Sequence, residues 1–159
     1  MPHTRNPVAY RTAAKQLALL AAPLIALLGW ILVVAAESPL DVIDFEIEAS
    51  QLHSLSVEAN KLAEDLLAGQ TTEDYFDVHA RMLFDKVADA RSKLQSREPR
   101  AGLESSHRDV TELARQLSAT TRLLSHSLHD RSSLRKVAGD LTHMGSAAEA
   151  LERNLATVQ

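Results

Sequence analysis

Cysteine is absent from the 159-residue chain, and aromatic residues make up only 4% of it. The lack of cysteine excludes disulfide bonds, thiol chemistry and zinc sites built on cysteine. Five glycines and five prolines are too few for the many tight turns of a β-sandwich or β-barrel, whose strands also favour aromatic residues. The composition therefore argues against an all-β fold.

Charge is distributed unevenly along the sequence. Residues 1–36 carry three basic residues and no acidic one, whereas residues 37–159 carry 14 Lys and Arg against 21 Asp and Glu, a net charge of −7. The phosphate backbone of nucleic acids attracts strongly basic surfaces, so we expect no nucleic-acid partner for this acidic region.

A run of twenty residues without a charged side chain, Leu17–Ala36, follows a basic tail at residues 1–16. As a helix this run would be about 30 Å long, the thickness of the hydrocarbon core of a bilayer. We therefore expect a transmembrane helix over residues 17–36. The positive-inside rule then predicts a cytoplasmic N-terminus and a domain, residues 38–159, on the other side of the membrane. In a bacterium this is a single-pass inner-membrane protein whose bulk is periplasmic or extracellular. The alternative is a cleaved secretory signal ending at the small residues Val34–Ala36, which leaves the domain on the same side.

The rest of the chain has the three- and four-residue apolar spacing of amphipathic helices. Ser38 as N-cap and Pro39 at the first helical position predict where the first helix starts. Gly69 is suited to end it, and Thr71 or Thr72 is suited to cap the second helix. The residues expected in the core are Phe45, Leu52, Leu55, Ala59, Leu62, Leu66, Phe76, Ala80, Leu83, Val87, Ala90, Leu94, Val110, Leu113, Leu117, Thr120, Leu124, Leu134, Val137, Leu141, Met144, Ala148, Leu151, Leu155 and Val158.

Pro99 and Gly102 end the second helix, and the apolar rhythm slips once more at His129–Ser133. A turn there, with Asp130 or Ser132 as the next N-cap, gives an up-down-up-down four-helix bundle. The alternative is one continuous helix with a stutter, which makes an extended helical hairpin or coiled coil. We favour the turn. The expected helices are 39–68, 72–97, 103–128 and 131–158.

No catalytic constellation is present, so we expect a protein that is not an enzyme in this chain. Glu104 and His107 have the spacing of two metal ligands on one helical face, but a di-iron bundle needs a second copy of this motif. His126 and His129 lie three residues apart, and no third ligand is fixed by local spacing. We therefore expect neither a metal nor a cofactor.

Basic side chains recur every seven residues in the second half of the chain. On the third helix they lie opposite the apolar residues, which predicts an exposed stripe. The stripe is either a solvated face or a docking face for an acidic partner or an anionic ligand. Its residues are Arg108, Arg115, Arg122, His129 and Lys136.

A basic tail, the anchor Leu17–Ala36 and four helices that return to the membrane near Gln159 resemble the N-terminal half of bacterial transmembrane sensors. These are chemoreceptors, sensor histidine kinases and related cyclases, and the resemblance is one of layout. It implies a periplasmic signal-input module that is a homodimer, binds a small molecule or a partner protein, and relays its state through helix shifts. It implies no ligand-binding residue. The alternative function is a membrane-tethered scaffold or accessory subunit of a cell-envelope, secretion or division complex.

Overall fold

A computed structural model describes residues 39–157 of the chain. These residues form four helices that pack together, and no strand is present among them, which confirms the predicted all-helical four-helix bundle. The predicted transmembrane helix at 17–36 lies outside the described residues. Within 39–157, no helix combines the length and apolar character needed to cross a membrane. The helices are α1 (Val42–Leu67), α2 (Glu73–Ser96), α3 (Glu104–His126) and α4 (Arg131–Ala156).

Each helix of the bundle runs antiparallel to the next. Asp44, near the start of α1, pairs with Arg97 after the end of α2, and His107 in the first turn of α3 contacts Leu94 near the end of α2. The chain reverses again in the short turn between α3 and α4. The most extensive helix contacts are those of α1 with α4 and of α2 with α3. Helices α1 and α3 also touch, whereas α2 and α4 do not, so α1 and α3 face each other across the short diagonal of the bundle.

Most of the core consists of residues that the apolar spacing predicts. The core also contains buried residues that were not predicted: Leu40, Ala49, Ala63, Ala114 and Ala138. Leu66, Met144 and Leu151 are only partly buried, and Val158 lies outside the described residues. Two phenylalanines, Phe45 and Phe76, are the largest fully buried side chains. Most other core residues are Leu and Ala, which suits close packing of neighbouring helices.

The first helix starts later than the sequence predicts. Asp41, not Ser38, is its N-cap, and the side chains of Asp41 and Asp44 each accept a hydrogen bond from the other's backbone N–H. This reciprocal capping box satisfies two helix-end donors, which explains why the helix starts there. Pro39 and Leu40 precede the helix and are not part of it.

Leu40 is held by the loop between α2 and α3. Its N–H donates to the carbonyl of Glu98 over 2.8 Å, and its carbonyl accepts from the N–H of Arg100 over 2.8 Å. The Leu40 side chain is buried in the bundle core. The chain is therefore fixed to the α2–α3 loop one residue before the N-cap of α1.

The break between α3 and α4 falls at the predicted slip in the apolar rhythm. Asp130 is the N-cap of α4, and its carboxylate accepts from the backbone N–H groups of Ser132 and Ser133 and from both hydroxyls. These four bonds hold the pKa of the Asp130 carboxyl low, at about 2, with the Ser133 hydroxyl contributing most. The turn is thus confirmed and the continuous-helix alternative is wrong.

Candidate functional site

An open groove runs along the outer surface where α2 packs against α3. It encloses about 520 Å³. We call it the arginine groove, because three arginines and no acidic residue line it. Its lining residues are Phe84, Arg91, Arg115, Ser118, Ala119, Arg122 and Leu123.

The antiparallel register of α2 and α3 brings these side chains together. In α2, Phe84 and Arg91 lie two helical turns apart on the flank that faces α3, and both are half-buried. In α3, Arg115 and Arg122 have the same seven-residue separation. Residues seven apart lie on one face of a helix, so each helix contributes a pair of groove side chains.

Two of the three arginines have no carboxylate partner within residues 39–157. Arg122 is exposed and forms no ion pair with any described residue. Arg91 is half-buried, and its Nε is fully buried with no hydrogen-bond acceptor among those residues. Neither guanidinium is neutralised or held in place by an acid of residues 39–157, so both charges remain available to an anion.

Arg115 differs, because Glu112, one turn earlier on α3, holds it. Its Nε and Nη2 donate to the two carboxylate oxygens of Glu112 over 2.7 and 2.6 Å. Together with a bond from Gln116, this fork lowers the pKa of the Glu112 carboxyl to about 2. The acid orients Arg115 and offsets its charge, which leaves Arg91 and Arg122 as the principal anion-attracting groups.

The groove also has an apolar component. Leu123 lines the groove and is 55% exposed, so its hydrocarbon is accessible to a ligand. Phe84 lies across from it on α2, and Ala119 leaves space one turn away on α3. A ligand in this groove would contact guanidinium groups and hydrocarbon at the same time.

A second open groove adjoins the first and shares Arg115 with it. Arg108 lies there, so three of the five predicted stripe residues line the surface between α2 and α3. Glu104 and Glu112 also line this second groove, and its charge is therefore mixed. The uncompensated positive charge lies in the arginine groove.

The remaining two stripe residues lie elsewhere. His129 is in the turn between α3 and α4, where its Nδ1 is 4.0 Å from a carboxylate oxygen of Glu73 at the start of α2. Lys136 is exposed on α4 and is not part of the groove. The seven-residue rhythm continues through the turn in the sequence, but the chain reverses there, and the stripe ends with α3.

Of the histidines considered as metal ligands, His107 has a structural contact instead. The Nε2 of His107 is 2.9 Å from the carbonyl oxygen of Leu94, and its ring packs 5.9 Å from that of Phe45. His107 thereby ties the first turn of α3 to the end of α2. Within residues 39–157, no three His, Asp or Glu side chains are arranged to hold a metal ion.

Phe84 and Arg91 line the groove but are not among the residues predicted from the sequence. A signal for them exists in the predicted hairpin, because antiparallel packing of the second and third helices brings one flank of the second helix beside the basic stripe of the third. The apolar spacing of α2 assigns its core face only, and Arg91 directly follows the core residue Ala90. Comparisons of the chain with protein-family models, curated proteins and solved structures found no match.

Proposed function

We propose that this protein is a membrane-anchored, extracytoplasmic signal-input module in which the arginine groove receives an anionic group. Binding there shifts α2 and α3 against the rest of the bundle, and the shift is relayed towards the membrane. The chain acts as a binding protein without catalytic activity of its own.

The observation that carries this proposal is the pair of uncompensated guanidinium groups, Arg91 and Arg122, in a domain that is otherwise acidic. A basic groove in an acidic domain directs anions to one place, because the remaining surface repels them. The anchor and the periplasmic location rest on the apolar run at 17–36 and the charges that flank it.

The membrane topology is tested by cysteine labelling, for which the cysteine-free chain is well suited. Thr4→Cys and Ser54→Cys variants are expressed separately in a bacterium and treated with a membrane-impermeant maleimide. We expect Ser54→Cys to react on spheroplasts and Thr4→Cys to react only after lysis. The reverse pattern, or equal reaction of both before lysis, contradicts the proposed topology.

Anion binding is tested on the full chain in nanodiscs of zwitterionic lipid, with citrate as the probe. We expect citrate to raise the melting temperature at constant ionic strength, and Arg122→Gln to remove most of that effect. Arg135→Gln is the matched control, because Arg135 is an exposed arginine on α4 outside the groove. Equal loss of the effect in both variants would show general charge screening, and would contradict a groove site.

The relay is tested with spin labels at Ser54 on α1 and Ser105 on α3, both exposed. We expect citrate to change the distance between the labels by about 1–2 Å, the size of helix shifts in packed bundles. The Arg122→Gln variant serves as the control and is expected to show no change.

A second candidate function is that of a tethered scaffold, and the exposed apolar side chains favour it. Seven large hydrophobic residues are about half exposed: Ile43, Ile47, Val57, Tyr75, Val78, Met82 and Leu123. Ile43 and Ile47 lie one turn apart on α1, away from the arginine groove. The scaffold function predicts that Ile43→Ser/Ile47→Ser abolishes assembly with an envelope partner, while citrate changes neither the melting temperature nor the label distance.

A further inference from the structure

We propose that the arginine groove docks an acidic amphipathic helix of a partner protein. This inference rests on the proposed function, because it assumes that the groove accepts anionic groups. It adds that the anions are side chains spaced along a helix, and that hydrocarbon contacts contribute to binding.

The shape of the groove favours a helix over a small molecule. Pockets for small ligands enclose most of the ligand surface. The arginine groove is instead open along α2 and α3, and it continues past Arg115 into the second groove beside Arg108. From Arg108 to Arg122 the α3 axis rises about 21 Å, which matches four turns of a second helix laid alongside.

The placement of the uncompensated positive charges fits the same ligand. Arg122 lines the α3 wall of the groove and has no carboxylate partner among the described residues, whereas Arg115 is already paired with Glu112. Arg91 reaches the groove from the opposite wall, so acids on both flanks of the docked helix have a basic partner.

The apolar side chains give such a helix its central contact. Leu123 and Phe84 face the groove from opposite walls, and the small side chain of Ala119 leaves room for an inserted Leu or Ile. Recognition of an amphipathic helix in a groove depends on anchors at positions i, i+3 or i+4 and i+7. An ionic ligand without an apolar face would leave Leu123 uncovered.

The net charge of the domain adds specificity. Residues 37–159 carry a net charge of −7, so an acidic helix is repelled by most of this surface. The groove, lined by three arginines and no acid, is the complementary part of it. Charge complementarity therefore sets both where the helix docks and which partners are rejected.

The test uses the full chain in zwitterionic nanodiscs and a fluorescent synthetic helix of about 20 residues, long enough to span the groove. The peptide carries Leu along one face and Glu at seven-residue intervals on its flanks. A scrambled peptide of the same composition, which has no apolar face, is the control. Binding is followed by fluorescence anisotropy at physiological salt.

We expect the patterned peptide to bind at least about tenfold more tightly than the scrambled one. Arg122→Gln and Arg91→Gln are each expected to weaken binding about tenfold, and Leu123→Ser about fivefold, as central interface residues do. Arg135→Gln is expected to change binding by less than about twofold, since it lies outside the contact. Arg122 and Leu123 are exposed, so their variants are expected to retain the fold.

Three results overturn the inference. If the patterned and the scrambled peptides bind equally, the groove recognises negative charge and not a helix. If citrate binds in an Arg122-dependent way while neither peptide does, the helix is wrong and the proposed anion-binding function stands. If no probe shows Arg122-dependent binding, both the inference and the proposed function are wrong.

Discussion

The carboxylate of Asp44 binds Arg97 and caps its own helix with the same oxygen. Its Oδ2 accepts from the Arg97 guanidinium over 3.2 Å and from the backbone N–H of Asp41 over 3.1 Å. One side chain therefore joins the start of α1 to the residue that follows α2. The pair lies beside the contact between Leu40 and the α2–α3 loop, so the two interactions reinforce each other at this end of the bundle.

Replacement of Asp44 is expected to destabilise the domain more than loss of a surface ion pair. We expect Asp44→Ala to lower the free energy of unfolding by about 1–2 kcal/mol, because it removes half of the capping box together with the pair. Arg153→Gln, which breaks the exposed pair with Glu149, is the control and is expected to cost less than about 0.5 kcal/mol. Urea unfolding followed by circular dichroism measures both, and equal losses would contradict a special role for Asp44.

Two glycines of α4 are expected to respond differently to alanine. Gly139 has open space where a Cβ would lie, so Gly139→Ala is expected to stabilise the helix by about 0.5–1 kcal/mol. At Gly145 a Cβ would lie 3.1 Å from the Oγ of Ser56, which is itself bonded to the carbonyl of His53. We expect Gly145→Ala to gain nothing or to destabilise the domain.

A double variant is the control for the close contact that an alanine at position 145 would make. The Ser56→Ala/Gly145→Ala variant lacks the Ser56 hydroxyl and therefore has space for the new methyl group. We expect this double variant to gain most of the stability that Gly139→Ala gains. Thermal unfolding of the three variants measures the difference. If Gly145→Ala stabilises as much as Gly139→Ala, the close approach of α1 and α4 at this position is wrong.

The cap at the α3–α4 turn is expected to give the stability a dependence on acidic pH. The pKa of the Asp130 carboxyl is lowered from 3.8 to about 2 by its serine hydroxyl and backbone donors. A lowered pKa in the folded state means that the carboxylate stabilises the fold above about pH 4, and that this contribution is lost as the pH falls towards 2.

Asp130→Ala therefore lowers the melting temperature at pH 7, and its difference from the wild type is expected to shrink as the pH falls from 4 to 2. Asn is also a good N-cap but does not ionise, so Asp130→Asn is the matched variant. Its difference from Asp130→Ala is expected to stay constant over the same pH range. A gap between wild type and Asp130→Ala that is unchanged at pH 2 would contradict the lowered pKa.

Variants of the arginine groove are expected to leave the fold intact. Arg122 and Leu123 are exposed and make no side-chain hydrogen bond or ion pair with the described residues, so Arg122→Gln and Leu123→Ser are expected to change the free energy of unfolding by less than about 0.5 kcal/mol. Phe76→Ala, which empties a fully buried position on α2, is expected to cost about 3–5 kcal/mol. Urea unfolding distinguishes the groove variants from the core variant. A large decrease in the free energy of unfolding for Arg122→Gln would mean that the groove side chains stabilise the bundle.

Apolar spacing predicted the helices and most of the core because both depend on residues close together in the sequence. Thr72 and Asp130 were each one of two candidate caps named from chemistry and position, with Thr71 and Ser132 as the alternatives. The start of α1 was predicted wrongly, because Ser38 and Pro39 form a plausible cap by themselves. The competing cap at Asp41 is strengthened by Arg97, which lies more than fifty residues away and whose contribution appears only in the folded chain.

The arginine groove shares Arg115 and Arg122 with the basic stripe that the sequence predicts. These two were named because they repeat within one helix, whereas Arg91 belongs to another helix and depends on the register of α2 against α3. Loop length sets that register, and the rules for apolar spacing do not report it. His129 and Lys136 were included in the predicted stripe because a sequence repeat takes no account of a reversal in the chain.

The two backbone hydrogen bonds of Leu40 have a mechanical consequence for the bundle. They join two chain segments that run parallel, so tension applied along the chain at Leu40 loads both bonds together in shear instead of opening them one after the other. The Glu98 and Arg100 partners lie between the two helices that form the arginine groove. A displacement of those helices therefore reaches the chain ahead of α1 by a path only a few bonds long, without crossing the hydrophobic core.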